Sequence, residues 1–323
     1  MFDGSFAMYF HSLNYPSYTC NQANTQKIAY KVRWNPILAI PPSSTLFHTD
    51  KNERYSESEE VSGPLLSQAN TVGIIGGVSA KSTLSFMEKL LQWSSKDGQD
   101  CLPFIICSDP VLSKELSEHE RTQFPYSSRQ IERSRLDHTR IVENLRSKRC
   151  YLEKSGAHCI VIPCDISHSW YDEISTGCSV TFLHMSECVA RELKEAKLKP
   201  LEAGSPPRIG VLGTDATLAA GFYQEKLHNE GLEVVLPDKA TVEHTVLPAI
   251  GALNRKDMEG ARNLLRIALQ VLLVRAVNTV ILASDEMRNL LPKDDPLLKK
   301  CIDPMDALVR STIRWAQTVE QAT

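Results

Sequence analysis

Two small nucleophilic side chains each come just after a short apolar run. Cys164 follows CIVI at Cys159–Ile162, and Ser284 follows TVIL at Thr279–Leu282. Such runs are typical of strands that are covered on both faces. Ligands of open α/β sheets bind at the carboxyl ends of the strands. We therefore expect a small molecule to bind between Cys164 and Ser284.

The elements that must position these side chains follow a βα pattern. Short apolar runs alternate with longer amphipathic segments from Thr71 onward, which predicts a mostly parallel sheet flanked by helices. The predicted strands are Val72–Ile75, Pro103–Ile106, Cys159–Ile162, Ile209–Leu212, Glu233–Leu236 and Thr279–Leu282. The predicted helices are Arg129–Gly156, Asp215–Gly231 and Asp257–Val274.

One strand, turn and helix unit occurs twice in the chain. GIIGGVSAKSTLSFMEKL, which begins at Gly73, aligns without a gap with GVLGTDATLAAGFYQEKL, which begins at Gly210. Glycines and the sequence Glu-Lys-Leu are shared by both copies. The repeat predicts two related lobes, and the alternative is a chance similarity between two βα units.

Four motifs in this order resemble those of the aspartate/glutamate racemase superfamily, over about residues 71–320. They are GIIGG at Gly73–Gly77, IPCDISH at Ile162–His168, GTDAT at Gly213–Thr217 and ILASDE at Ile281–Glu286. The resemblance implies two pseudo-symmetric α/β lobes with the site in the cleft between them. It places one lobe at 71–182, completed by a C-terminal helix at about 300–323, and the other at 183–299.

The resemblance also implies a mechanism. Racemases of this superfamily use two cysteines, one on either side of the substrate α-carbon, and need neither metal nor pyridoxal phosphate, so no cofactor is expected. Inversion needs an acid or base on both faces. By resemblance, Cys164 is one catalytic thiol, and Ser284 stands where the second cysteine is expected. A positive neighbour or a helix N-terminus could bring a thiol pKa near neutrality, whereas a serine needs a partner base.

Substrate-binding groups are implied near the same strand ends. They are Gly77, Ser79, Asp165, Ile166, Thr214, Thr217, Asp285 and Lys114. The superfamily pattern after the first cysteine is Asn-Thr, whereas this chain has Asp165 and Ile166. We expect Asp165 to repel a substrate carboxylate unless it is protonated or turned away. Candidate cations for a distal carboxylate are Lys114, Arg255 and Lys256.

Three functions fit these residues. The first is cofactor-independent racemisation of a small amino acid that resembles aspartate or glutamate, by an isomerase that the resemblance implies is a homodimer. The second is a single-cysteine lyase or asymmetric protonation enzyme of the same superfamily. The third is a racemase-fold protein that binds a small acid or a partner without turnover.

Composition and motifs disfavour other classes of protein. The net charge of -3 gives no electrostatic reason to expect nucleic acid or an anionic membrane as partner. No stretch approaches the roughly 20 apolar residues of a membrane helix. His158, Cys159, Cys164 and His168 lack a second pair with zinc-finger spacing, so no metal site is expected. GIIGG lacks the third glycine of a dinucleotide fingerprint.

The first seventy residues differ from the rest. Asp3 is the only acid within residues 1–49, and hydroxyl residues are scattered there. This composition predicts a transit peptide for the chloroplast or another organelle, and the alternative is a disordered extension of a cytoplasmic protein. Residues 50–70 are predicted to be a charged linker. The nine irregularly spaced cysteines favour a reducing compartment.

Overall fold

The computed structural model describes residues 68–95, 101–122 and 138–322. The predicted transit peptide at 1–49 and the linker up to residue 67 lie outside the described residues. The first part of the predicted helix Arg129–Gly156, up to residue 137, also lies outside them. Within the described ranges, no helix combines the length and the apolar character needed to cross a membrane.

The first of two sheets has four parallel strands. They are β1 (Val72–Ile75), β2 (Phe104–Cys107), β3 (Cys159–Val161) and β4 (Thr181–Phe182), in the order β2-β1-β3-β4. The helices that accompany them are α1 (Ala80–Ser94), α2 (Pro110–Thr122), α3 (Thr139–Lys154), α4 (Tyr171–Ser175) and α5 (Met185–Glu195). A 3-10 turn at Ile166–Trp170 precedes α4.

The second sheet repeats this arrangement. Its parallel strands are β5 (Arg208–Gly213), β6 (Glu233–Val235), β7 (Thr279–Ala283) and β8 (Cys301–Ile302), in the order β6-β5-β7-β8. Its helices are α6 (Asp215–Ala220), α7 (Phe222–Asn229), α8 (Lys239–Thr241), α9 (Leu247–Asn254), α10 (Met258–Leu273) and α11 (Asp285–Arg288). A π turn at Val242–Val246 and a 3-10 turn at Pro296–Lys300 complete it, and α12 (Pro304–Ala322) follows. The strand order is therefore the same in both sheets, with the two copies of the repeat at β1 and β5.

The six predicted strands are all present, with ends that differ by at most one residue. The edge strands β4 and β8 were not predicted, since two residues are too few to show a pattern. The single helix predicted at Asp215–Gly231 is wrong. Gly221 adopts a left-handed φ of 76°, which ends α6 and begins α7.

A shared core joins the two sheets. Successive residues of a strand point to opposite faces of its sheet. Ile74 of β1 and Ile281 of β7 therefore lie in one common cluster between the sheets, whereas the residues that follow them, Ile75 and Leu282, pack on the outer faces of their own sheets. Further residues of this common cluster come from the strands and from helices α1, α5, α7 and α12. The lobe boundaries at 182 and 299 stay a prediction, since α12 contacts both β3 and β7.

Candidate active site

Three predicted site residues are helix N-caps at the carboxyl ends of strands. Ser79 precedes α1, and its Oγ accepts a hydrogen bond from Lys81 N at 3.1 Å. Thr214 follows β5, and its Oγ1 accepts from Thr217 N at 3.3 Å. Ser284 follows β7 and precedes α11. The preference of short hydroxyl side chains for N-cap positions explains why strand, hydroxyl and helix follow each other in both lobes.

A cleft opens where these strand ends of the two lobes face each other. Ser79 of the first lobe and Ser284 of the second line the same cavity of about 370 Å³. A neighbouring cavity of about 420 Å³ is lined by Thr214 and shares Val78, Glu120 and other residues with the first. Cavities of this size suit a small ligand.

Cys164 lies directly behind the wall of this cleft. Its side chain is buried, with a residue exposure of 1%. The Sγ atom accepts a hydrogen bond from the N–H of Val78 at 3.4 Å, and Val78 lines both cavities. A Cβ atom on Gly77 would lie 2.1 Å from the Cβ of Cys164 and 2.5 Å from its Sγ. Cys164 does not itself line either cavity, and the Gly77–Val78 turn packs between its thiol and the cleft.

The surroundings of Cys164 favour the neutral thiol. Burial, followed by the negative charges of Asp285 and Glu120, raises its pKa to about 12. The sequence analysis named a positive neighbour or a helix N-terminus as the features that could lower this pKa. In the structure, burial and the two acids outweigh the hydrogen bonds from Ser167 and the backbone of Val78, although Arg288 also interacts with Cys164.

Asp165 is turned away from the cleft. It is buried, and its Oδ1 accepts a hydrogen bond from the hydroxyl of Tyr223 at 2.6 Å. Its other oxygen pairs with the guanidinium of Arg288. The expected repulsion of a substrate carboxylate by Asp165 is therefore absent, because the carboxylate faces a buried cation of the other lobe.

Arg288 holds several carboxylates at the base of the cleft. Besides Asp165, it contacts Asp285 at 2.5 Å and Asp303 at 3.2 Å, and its side chain is 1% exposed. A buried guanidinium needs such partners to offset the loss of hydration. Sequence reasoning missed Arg288, although a basic residue three positions after Asp285 on a helix was a signal for an ion pair.

Comparison with known proteins assigns the family. The model of the Asp/Glu/hydantoin racemase family matches residues 75–312. This chain belongs to that family. It is also similar to the broad specificity amino-acid racemase RacX of Bacillus subtilis, with 29% identity over 172 residues. That match spans 52% of this chain and 64% of RacX, which is less than two thirds of its length.

Solved racemase structures share the fold of this family member. Picrophilus torridus aspartate racemase has a TM-score of 0.57 and 24% identity, with 76% of this chain and 94% of that chain covered. An aspartate racemase homologue from Pyrococcus horikoshii OT3 has a TM-score of 0.60 and 21% identity, with 77% and 99% covered. The predicted α/β fold class, with two mostly parallel sheets flanked by helices, is therefore confirmed for this chain, and at this level of identity the likeness shows the fold alone.

The cleft of this family member is rich in carboxyl groups. Glu120 on α2 and Glu286 on α11 line both cavities, and Asp285 lines the first. Burial, followed by the charges of Asp285 and Glu286, raises the pKa of Glu120 to about 8. Burial, followed by the charges of Asp303 and Glu286, raises the pKa of Asp285 to about 7. Sequence reasoning did not identify Glu120, because no motif distinguishes it from a surface glutamate of an amphipathic helix.

Other predicted residues lie away from the cavities. Ile166 is buried in the core beyond the first sheet, and Thr217 contacts Thr214 rather than open space. Lys114 is exposed on α2, and its ammonium lies 3.9 Å from Glu118. Arg255 and Lys256 are exposed and do not line either cavity. None of these three cations lines either cavity in the structure, and their proposed contact with a distal carboxylate stays a prediction.

Proposed function

We propose that this chain is a cofactor-independent amino-acid racemase in which Cys164 exchanges the α-proton on one face and Ser284 stands on the other. Membership of the racemase family supports this proposal. The observation that carries it is that Val78, which covers the thiol and bonds its Sγ, lines the same cavity as Ser284. Movement of one turn would therefore expose Cys164 opposite the serine hydroxyl.

Each face needs a group that can give and take a proton. On the Cys164 face, the neutral thiol is ready to donate, because its pKa is raised to about 12. On the other face, the hydroxyl of Ser284 would relay a proton to the adjacent carboxyl of Asp285. Since the pKa of Asp285 is about 7, this carboxyl can accept and return a proton near neutral pH. Amides at the starts of α1 and α6 would stabilise the carbanion.

A second candidate is an asymmetric protonation enzyme or lyase that uses Cys164 alone. The raised pKa of this thiol favours it, because the thiol stays protonated near neutral pH and so carries a proton to donate, whereas little thiolate is present to act as a base. Such an enzyme would deliver a proton to one face only. Inversion of both enantiomers would then be absent.

Amino acids incubated in D2O test these possibilities. Purified protein is mixed with L- and D-forms of acidic, neutral and basic amino acids, and α-deuteration and optical purity are followed together. Inversion in both directions supports racemisation, and deuteration without inversion supports one-sided chemistry. If no amino acid shows deuteration or inversion, the proposal is wrong, and a racemase-fold protein that binds without turnover is the function that remains.

Matched variants connect the activity to the site. Cys164→Ala should abolish deuteration, whereas Cys101→Ala, at an exposed cysteine, should leave it unchanged. Ser284→Cys should raise inversion relative to deuteration, because a second thiol replaces a hydroxyl that cannot act alone. The homodimer and the transit peptide stay proposals, which light scattering and the N-terminus of the mature protein would test.

A further inference from the structure

We propose that the cleft selects amino acids whose side chain carries a positive charge at the end of an aliphatic stem, and that Glu120 is the carboxylate that recognises this charge. The inference rests on the proposed function, since it names the substrate class of the same site. It differs from the aspartate- or glutamate-like substrate that the sequence resemblance implies.

Carboxyl groups from both lobes face the cleft. Glu120 reaches it from α2 of the first lobe, and Asp285 and Glu286 reach it from α11 of the second. Glu120 and Glu286 border both cavities, so a ligand in either one would meet them. A substrate with a second carboxylate would add a like charge to this group, whereas a cation would be attracted.

Among the described residues, the cations that line the first cavity are Arg288 and Lys81. Arg288 is shared by the carboxylates of Asp165, Asp285 and Asp303, and its side chain is 1% exposed, so a ligand carboxylate would have to compete with these partners for it. Lys81 is exposed at the start of α1, beside the N-cap Ser79. This position suits the α-carboxylate that every amino acid carries. It leaves the acidic side of the cleft for the substrate side chain.

Apolar side chains complete the recognition of a long cationic side chain. Leu253, Met258, Leu290 and Met305 line the first cavity together with Glu120. Such side chains can pack on the methylene stem of lysine, ornithine or arginine while the charged end reaches a carboxylate. The short stem of aspartate would leave most of this apolar wall uncovered.

A bound cation would also favour the chemistry of the site. Burial, followed by the charges of Asp285 and Glu120, raises the pKa of the Cys164 thiol and favours its neutral form. A positive charge beside Glu120 would partly cancel this effect and make the thiolate easier to form. A substrate of the proposed class therefore adds a second positive charge near the thiol, besides that of Arg288, which already interacts with Cys164.

Calorimetric titration tests the selectivity without requiring turnover. The three probes are L-lysine, its uncharged analogue L-norleucine and L-glutamate. We expect wild-type protein to bind lysine at least about tenfold more tightly than either of the others, as for a charge-assisted hydrogen bond. Glu120→Gln should remove most of this preference. Glu118→Gln should not change it, because Glu118 lies on the same helix but is exposed and faces Lys114.

Several results would overturn the inference. They are tighter binding of glutamate than of lysine, equal binding of lysine and norleucine, no measurable binding of lysine, and an equal loss of all ligands in Glu120→Gln. If Glu120→Gln does not fold by circular dichroism, the wild-type ligand series and Glu286→Gln decide instead. Glu286→Gln is then expected to weaken lysine binding and leave norleucine binding unchanged.

The D2O assay separates failure of this inference from failure of the proposed function. Deuteration of glutamate without deuteration of lysine would contradict the substrate class and leave the racemase proposal intact. Selective binding of lysine without deuteration of any amino acid would support the substrate class and contradict the racemase proposal. The two claims therefore fail on different measurements.

Discussion

Gly77→Ala tests whether the close approach of the β1–α1 turn positions the thiol of Cys164, for which we propose a catalytic role. The added Cβ would lie 2.1 Å from the Cβ of Cys164, whereas carbon atoms pack comfortably at about 3.5 to 4.0 Å. The Cβ of Cys164 cannot swing aside as the end of a flexible chain could, so the turn or the strand end must shift. We expect a loss of about 1–3 kcal/mol in the free energy of unfolding.

The same shift should impair catalysis. A displacement of about 1 Å at a reacting group can cost about a hundredfold in rate, so deuteration in D2O should fall by that order. Urea unfolding and the deuteration assay are measured on the same preparations. Gly76→Ala is the matched control, because its added Cβ would lie 3.1 Å from the Oγ of Ser108 and away from the thiol.

A double-mutant cycle identifies the cause. Cys164→Gly removes the two nearest atoms, after which the added Cβ on residue 77 would meet the Cα of residue 164 at 3.5 Å, an ordinary contact. Gly77→Ala should therefore cost almost nothing in free energy of unfolding in the Cys164→Gly background. An equal cost in both backgrounds would show that contact with Cys164 does not explain the need for glycine, and our reasoning would be refuted.

Two further predictions concern buried charges. Arg288→Leu should lower the free energy of unfolding by about 3–5 kcal/mol, because Asp165 and the other carboxylates around Arg288 stay buried without their cation. Asp165→Asn in that variant should restore part of the lost free energy, as measured by urea unfolding. Burial, followed by the charge of His184, lowers the pKa of His168 to about 3. Burial is likewise the largest cause of the lowered pKa of His184, which is also about 3. Below pH about 6.5 these histidines bind protons in the unfolded chain but stay neutral in the folded chain. The free energy of unfolding should therefore keep its full value above that pH and fall toward pH 3 by about 1.4 kcal/mol per pH unit for each histidine. Urea unfolding at a series of pH values measures this.

Controls for these predictions come from the same chain. Arg314→Leu removes an exposed ion pair with Glu195 and should cost less than about 1 kcal/mol. His168→Gln should flatten the loss of stability with acid, whereas His228→Gln, at an exposed histidine, should not. A loss of less than about 1 kcal/mol in Arg288→Leu would contradict the buried network, because removal of one partner from a buried ion pair is strongly destabilising. An unaltered acid profile in His168→Gln would contradict the buried-histidine account.

Local sequence patterns were sufficient for most of the fold. Strands such as β1 and β7 are covered on both faces, so nearly every residue in them is apolar and the run is visible in the sequence. The N-cap hydroxyls of Ser79 and Thr214 are equally local signals. Gly221 was a visible signal as well, and the predicted continuous helix overlooked it.

The electrostatics of the site depend on distant parts of the chain. Glu118 and Glu120 look alike on an amphipathic helix. Glu118 faces Lys114, whereas Glu120 enters the cleft, where burial and then the carboxyls of the second lobe raise its pKa. Asp165 looked unfavourable beside a substrate, since its partner Arg288 lies 123 positions further along the chain. No local pattern reports such a pairing.

The position of α12 has a consequence for how the protein folds as it is made. Lys89 of α1 pairs with Asp303, 214 positions later, and with Asp306 of α12. Helix α1 therefore leaves the ribosome long before the helix that covers it, and its apolar side stays exposed during that interval. A chaperone that binds nascent apolar segments would therefore encounter α1 before α12 is made. A chain whose translation stops before Pro304 would lack α12, and the apolar side of α1 would stay without the helix that packs on it.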